Sequence, residues 1–274
     1  MTTPPPPRPV RGIGLAIAAV GFAGLVAIPA APAVGQVYPS SVVGTEFDII
    51  RTTDPTTFKS LAGGEVARRE MPDKTGDAAL VQPAYAFTAG YADGHEIDIA
   101  VDRDFADRAA AKKEAERYAT RLGRLPGVLR RGVKRVVVHK GEPDATAFSD
   151  IGLVVVYSAN ASKRIATNDL EETLFHESVH ATWDKTHAGS PGWKRAQAAD
   201  GGFLTRYAQR LPGREDLAET ALLAFAVLEH PERIPEADRE KIRQAVPARI
   251  AFVGELLEKA KAAEAAKAAE SEDG

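Results

Sequence analysis

The chain has 274 residues, 44% of them hydrophobic, which is enough apolar material for the core of one large domain or two small ones. Its formal charge of −3 is too small to indicate binding to nucleic acid or to an acidic membrane surface. Because the chain has no cysteine, disulfides and thiolate metal sites are excluded, and any metal must be bound by His, Asp or Glu.

The first thirty-odd residues differ in composition from the rest of the chain. Arg8 and Arg11 precede an uncharged apolar run, residues 12–34, which contains the small-residue string Ala-Pro-Ala at 31–33. This order of features is typical of a secretory signal peptide, so residues 1–33 are predicted to be one, cleaved after Ala33. The run is long for a signal peptide, and an uncleaved membrane anchor is the alternative. Both interpretations predict an exported protein, either secreted, periplasmic or at the cell surface.

The first clear secondary-structure signal is a strand pair near residue 84. Residues 34–83 carry no clear pattern and are predicted only as a poorly defined N-terminal segment, either a loose leader or an ordered accessory unit. Residues 84–91 and 96–101 are predicted strands, joined by the hairpin signal Asp93-Gly94. Apolar residues alternate with polar or small ones in the second strand, so one of its faces should be buried.

A helix and further strands should follow this pair. Asp104 is a suitable N-cap, and Gly123 a suitable end, for a helix with small and apolar residues at helical spacing. The β-branched runs at 133–138 and 151–157 predict inner strands of a mixed sheet. Between them, Ala145 to Ser149 are predicted to form an edge strand.

Residues 170–184, with the sequence LEETLFHESVHATWD, carry the strongest chemical signal. His176, Glu177 and His180 form the pattern H-E-x-x-H, which on a helix places both imidazoles on one face, where they can bind a single ion. Two neutral histidines suit Zn²⁺, and the glutamate between them can serve as a general base. Asn168 or Asp169 is the predicted N-cap.

A solvated surface helix with two histidines is the alternative interpretation of this pattern. It is disfavoured because the helix also carries apolar residues that need covering, namely Leu170, Leu174, Phe175, Val179 and Trp183. Further helices are predicted at about 193–199, from Glu215 to about Leu228, and at about 247–269. The C-terminal half should therefore be mostly helical, with residues 236–274 forming C-terminal helices and a polar tail.

A catalytic zinc needs a third protein ligand and an open position for water. The metzincin pattern places a third histidine six residues after the second, but that position holds Thr186, and His187 is one residue late. A later helix offers another solution, because Glu215 and Glu219 are four residues apart and share a face. One carboxylate can bind the metal while the other accepts a hydrogen bond from a ligand imidazole.

Three stretches together resemble a known family: the HESVH helix, residues 200–208 (DGGFLTRYA), and residues 215–219 (EDLAE). They resemble the catalytic core of gluzincin-type metallopeptidases, and more closely the anthrax-lethal-factor-like catalytic domain and its secreted bacterial relatives. The resemblance covers roughly residues 84–230. It implies an α+β, zincin-like fold: a catalytic domain at 84–235 with a small mixed β-sheet, an active-site helix and a mostly helical C-terminal half.

The resemblance also implies roles for individual residues. His176, His180 and Glu215 would bind Zn²⁺, Glu177 would be the general base, and Glu219 would support the ligands from outside. Tyr207 matches the tyrosine that leans over the metal in the family, with a core aromatic as the alternative. Asp184, one turn after His180, is a further supporting candidate.

These assignments predict an exported zinc-dependent metallopeptidase. An extended peptide or protein substrate would bind along the sheet edge at Ala145 to Ser149. No nucleic-acid partner is expected, and a membrane only through an uncleaved N-terminal segment. Two alternatives stay open: a zinc amidase acting on a non-protein amide such as peptidoglycan, and a non-catalytic zincin-like binding module.

Overall fold

The computed structural model describes residues 37–73, 81–148 and 151–272, so the predicted signal peptide or anchor at 1–33 lies outside the described residues. In these ranges, no helix combines the length and the apolar character needed to cross a membrane. The architecture is α+β, as predicted: a six-stranded mixed sheet followed by a mostly helical C-terminal half.

The sheet has the strand order β1-β2-β3-β4-β6-β5. The first three strands pair antiparallel, β3 and β6 both pair parallel with the central β4, and β5 pairs antiparallel with β6 at the edge. The strands are β1 (Phe58–Glu70), β2 (Val81–Tyr91), β3 (Glu96–Asp102), β4 (Arg135–His139), β5 (Thr146–Phe148) and β6 (Leu153–Tyr157). The predicted hairpin, inner strands and edge strand are therefore confirmed.

Strand β1 lies inside the N-terminal segment that the sequence leaves undefined. It is an edge strand with mostly exposed side chains, so it lacks the alternation of buried and exposed residues that marks a strand in sequence. Gly63 and Gly64 both have positive φ, +86° and +101°, where the pairing with β2 shifts register. Such a bulge favours glycine, and two adjacent glycines are easily mistaken for a loop.

In chain order, helices lie between β3 and β4 and again after β6. They are α1 (Arg108–Leu122), α2 (Gly127–Gly132), α3 (Ser158–Ala166), α4 (Leu170–Trp183), α5 (Pro191–Asp200), α6 (Arg206–Arg210), α7 (Asp216–Glu229), α8 (Glu236–Ala245) and α9 (Pro247–Glu272). A π-helical turn, Asp184–Ala188, continues α4, and a 3₁₀ turn, Pro231–Arg233, follows α7. The predicted C-terminal helix is thus confirmed and extends to Glu272.

The predicted start of α1 at Asp104 is wrong by three residues. The backbone N–H of Asp104 donates to Asp102 Oδ1 at 3.1 Å, which closes a turn before the helix. Asp107 is the N-cap, and its Oδ1 accepts from the N–H of Ala110 at 2.8 Å. The helix ends before Gly123, as predicted.

The core lies between one face of the sheet and helices α1 and α4, with α7 packed on α4 and α9 packed on α7. Every residue of α4 except Thr182 is buried, so the prediction of a buried H-E-x-x-H helix is confirmed. The rings of Phe175 and Phe225, 5.1 Å apart, join α4 to α7. This contact sets the distance between the two helices that carry the candidate ligands.

Arg249 ties the start of α9 to the start of α7. Its guanidinium is fully buried, and its Nε donates to Asp200 Oδ2 at 2.9 Å. Its Nη1 donates to both oxygens of Asp216, at 2.8 and 3.0 Å. Since Asp216 is the first residue of α7, the C-terminal helices contribute directly to fixing that end of the helix.

Glu172, in the first turn of α4, is a buried carboxyl group with an unusual pKa. Burial raises its pKa from 4.5 to about 7, although the N–H groups of Ile50 and Ile49 donate to Oε1, each at 2.8 Å. Its Oε2 is buried without a hydrogen-bond partner. Ionising this group in the folded protein therefore costs free energy.

We expect Glu172→Gln to stabilise the protein at high pH only. Because the folded pKa lies above the unfolded one, the parent binds an extra proton when folded and loses stability as pH rises from 4.5 through about 7. The glutamine keeps the acceptor for both backbone N–H groups but never ionises. Urea unfolding gives the free energy of unfolding of the variant and of the parent at pH 5 and pH 8. The variant's value minus the parent's should rise by about 2–3 kcal/mol between these two pH values. A difference that does not change with pH would contradict a raised pKa.

Candidate metal centre

Helix α4 presents His176 and His180 on one face, four residues apart, toward the start of α7. Both side chains are buried, and their Nε2 atoms lie 3.1 Å apart. The helix is held in place by its apolar residues on the remaining faces. The packing of the core therefore places the two imidazoles side by side.

Glu215 completes the cluster from the N-cap position of α7. Its Oε2 lies 3.3 Å from His176 Nε2 and 3.2 Å from His180 Nε2. In the described ranges, His176, His180 and Glu215 form the one group of three or more His, Asp or Glu side chains whose donor atoms come close enough to hold a metal ion. The sequence prediction of these three residues as ligands therefore agrees with the geometry.

The separations fit a metal ion. In a tetrahedral site with ligand bonds of about 2.0–2.1 Å, two ligand atoms lie about 3.3–3.4 Å apart. His180 Nδ1 is 2.7 Å from Asp184 Oδ2, so in the neutral ring Nδ1 carries the proton and Nε2 presents a lone pair. Two imidazole lone pairs and a carboxylate oxygen that meet at 3.1–3.3 Å repel one another unless a positive charge lies between them. A buried His-His-Glu group of this kind could hold a metal ion.

The pKa values of His180 and Glu215 also indicate a site that favours positive charge. Burial alone lowers the pKa of His180, but hydrogen bonds to Asp184 and Glu215 outweigh it and raise the pKa to about 10. Burial alone raises the pKa of Glu215, but hydrogen bonds from His176 and His180 hold it well below its usual range. A divalent cation held by these side chains would supply that positive charge.

The supporting residues lie where the sequence places them, with one difference. Asp184 contacts His180 as expected. Glu219 is fully buried, and its Oε1 lies 3.5 Å from His176 Nδ1, but the two groups are not aligned as a hydrogen bond. The expected imidazole–carboxylate hydrogen bond is therefore not formed.

The Glu219 carboxylate instead binds residues 37–43, a segment that we call the N-terminal strap. Its Oε1 accepts from Ser40 Oγ at 3.0 Å and from Ser41 Oγ at 3.1 Å, and its Oε2 accepts from the Ser41 N–H at 2.8 Å. Sequence reasoning misses both serines because they lie about 180 residues from Glu219, in a segment without periodicity. The pair of adjacent hydroxyls after Pro39 is the one local signal.

A cleft of about 980 Å³ opens beside the cluster. The strap forms one wall, through Pro39 and Val43 among others, and the edge strand β5 forms another. Glu177 lines the cleft, 9% exposed, and its charge contributes to the raised pKa of His180. Its position between the two histidines therefore brings it to the cluster on the side that substrate can reach.

Tyr207, on α6, also lines the cleft. Burial, followed by the charge of Glu215 and a hydrogen bond to it, raises the pKa of Tyr207 to about 12. The guanidinium of Arg210 lies 5.8 Å from the centre of its ring. The tyrosine is half-buried with its hydroxyl toward the cluster, so the interpretation as a core aromatic with a surface hydroxyl does not describe it.

His187 is separate from the cluster. It lies in the π-helical turn, with its ring 6.1 Å from that of Phe252, and it does not line the cleft. Burial and the charge of Lys259 lower its pKa. Its place one residue beyond the metzincin position therefore has no consequence for metal binding.

The fold and the site define an α+β protein with a buried His-His-Glu group that could hold a metal ion, at the base of an open cleft. Comparisons of the chain with protein-family models, with curated proteins and with solved structures found no match.

Proposed function

We propose that the protein is an exported zinc-dependent metallopeptidase. The observation that carries the proposal is the convergence of His176, His180 and Glu215 beside Glu177, in a cleft with a sheet edge as one wall. Export is proposed from the composition of residues 1–33.

Zinc is proposed because of the ligand set. Two imidazoles and one carboxylate, with no thiolate, form one of the common protein ligand sets of catalytic zinc and leave a fourth position open. Structural zinc sites usually have four protein ligands and no access for substrate. The open cleft beside these three donors favours a catalytic site.

Glu177 is proposed to move the proton. His176, His180 and Glu215 would hold the zinc ion, which would supply a Lewis acid that activates water and polarises a carbonyl group. Glu177 accepts a proton from the attacking water and then donates it to the leaving amine. This role requires a carboxylate that faces the cleft without being a ligand, which is the position of Glu177.

Tyr207 is proposed to stabilise the negative charge that develops on the carbonyl oxygen. With a pKa of about 12, its hydroxyl stays protonated at neutral pH and can donate a hydrogen bond. The hydroxyl contacts Glu215, so it would have to exchange that partner for substrate. Tyr207→Phe should therefore lower the rate of cleavage more than it lowers substrate binding.

An extended peptide is the proposed form of the substrate. Strand β5 pairs with β6 on one side and, among the described strands, has no neighbour on the other. Ala145, Thr146 and Ala147 line the cleft, so a peptide added to this edge would run past the metal cluster. Backbone hydrogen bonding of this kind selects for an extended chain more than for particular side chains.

The test is cleavage of a mixed peptide library by the zinc-loaded protein, before and after chelation, with peptidoglycan fragments as a second substrate set. We expect peptide cleavage that is lost on chelation and restored by zinc. Cleavage confined to the peptidoglycan fragments would show that the protein is an amidase and not a peptidase. Bound zinc without cleavage of either substrate set would show that the protein is a binding module and not a hydrolase.

A further inference from the structure

The N-terminal strap binds the buried carboxylate of Glu219, which lies beside the metal-cluster residue His176. We propose that Ser40 and Ser41 are positioning residues of the metal centre, which act on His176 by holding Glu219. The inference rests on the metal site of the proposed function but not on peptide cleavage.

Glu219 needs these partners because of its burial. A fully buried carboxylate is costly unless donors surround it, and Ser40 and Ser41 supply three, at 2.8–3.1 Å. They engage both oxygens, so they fix the orientation of the group as well as its charge. Without them, the carboxylate would lose the contacts that fix its orientation.

His176 depends on Glu219 in turn. Its Nε2 belongs to the metal cluster, and its Nδ1 is buried without an aligned hydrogen bond, 3.5 Å from Glu219 Oε1. A negative charge near Nδ1 favours the tautomer that keeps the proton there and leaves the Nε2 lone pair for the metal. The serines hold the carboxylate at this place.

The strap is itself fixed to the strand-like residues before α6. The N–H groups of Val37 and Tyr38 donate to Leu204 O at 3.0 and 3.1 Å, and the N–H of Tyr207 donates to Pro39 O at 3.1 Å. The strap therefore joins the segment that carries Tyr207 to the helix that carries Glu219. These backbone hydrogen bonds remain when the hydroxyls are replaced. The Ser40 hydroxyl also accepts from the Val42 N–H at 3.2 Å, so its removal changes the strap locally as well as changing Glu219.

The experiment is zinc affinity, measured by competition with a chromophoric chelator. The variant Ser40→Ala/Ser41→Ala removes both hydroxyl donors to Oε1, the Glu219 oxygen 3.5 Å from His176 Nδ1, and keeps the Ser41 N–H that donates to Oε2. We expect zinc binding to weaken about 10–100-fold, the usual cost of disturbing a group that orients a ligand. Thr45→Ala is the matched control: it removes a hydroxyl close to the strap that donates to Ser41 O at 3.4 Å and does not reach Glu219. Its affinity should equal that of the parent. Thermal unfolding of the metal-free proteins gives the folded fraction used to correct each affinity.

A double-mutant cycle with Glu219→Gln separates positioning from a general structural effect. If the serines act through Glu219, replacing them in the Glu219→Gln background should cause little further loss of affinity. An equal loss in both backgrounds would overturn the proposal, as would parental affinity in the serine variant. A parent that binds no zinc would overturn the metal centre as well, whereas a parent that binds zinc without cleaving peptides would overturn only the peptidase.

Discussion

Replacing Glu177 with glutamine should lower kcat/KM for peptide cleavage by roughly 10²–10⁴-fold while zinc content stays at the level of the parent. The glutamine has the same shape but cannot accept the proton of the attacking water or return it to the leaving amine. Zinc should stay bound because Glu177 lines the cleft without belonging to the His-His-Glu group. The two measurements are initial rates on a cleaved peptide and metal analysis of the same samples.

Glu172→Gln is the matched control for this variant. It makes the same substitution on the same helix, at a buried carboxyl group that does not line the cleft. Its activity should equal that of the parent at neutral pH. A Glu177→Gln protein that holds zinc and cleaves at the parental rate would show that Glu177 takes no part in the reaction.

The second large effect is expected at Arg249, which does not line the cleft. Arg249→Ala should lower the free energy of unfolding by about 3–5 kcal/mol, because it leaves the buried carboxylates of Asp200 and Asp216 without their cation. Urea unfolding at pH 7 measures the loss. Since Asp216 begins α7, next to Glu215, zinc affinity should fall as well in whatever fraction stays folded.

Two comparisons make this result specific. Arg195→Ala removes an exposed arginine from α5 and should change stability by less than about 0.5 kcal/mol. Combining Arg249→Met with Asp200→Asn and Asp216→Asn removes all three charges and should recover part of the lost stability. A single Arg249→Ala variant that loses less than about 1 kcal/mol would show that the buried ion pairs contribute little to holding α7.

Local patterns predicted much of this fold. Strand β3 is predictable from its alternating side chains, the turn before it from Asp93-Gly94, and the inner strands β4 and β6 from their continuous β-branched runs. Helix α4 is predictable from its acidic first turn and its many apolar residues. The two histidines follow from their spacing, since residues four apart on a helix share a face. The same spacing picks out the pair Glu215 and Glu219 on a later apolar helix, and the family resemblance selects Glu215 of the two as the ligand.

The remaining part of the site depends on contacts between residues distant in sequence. Ser40 and Ser41 reach Glu219 across about 180 residues, and Arg249 reaches Asp216 across 33. A repeating sequence pattern does not predict such pairs, because each is a single polar contact that depends on how distant segments pack together. The same reason explains why Glu219 was predicted to bond an imidazole: its competing serine partners lie in a segment with no recognisable pattern.

The metal itself is the most direct test of the site. Titration of the metal-free protein with zinc should show one tight equivalent per chain. Glu215→Ala should weaken that binding by more than the roughly 10–100-fold expected for the loss of a supporting residue, since it removes a ligand. A parent that binds no zinc, or a Glu215→Ala variant that binds it as tightly as the parent, would contradict a His176–His180–Glu215 metal centre.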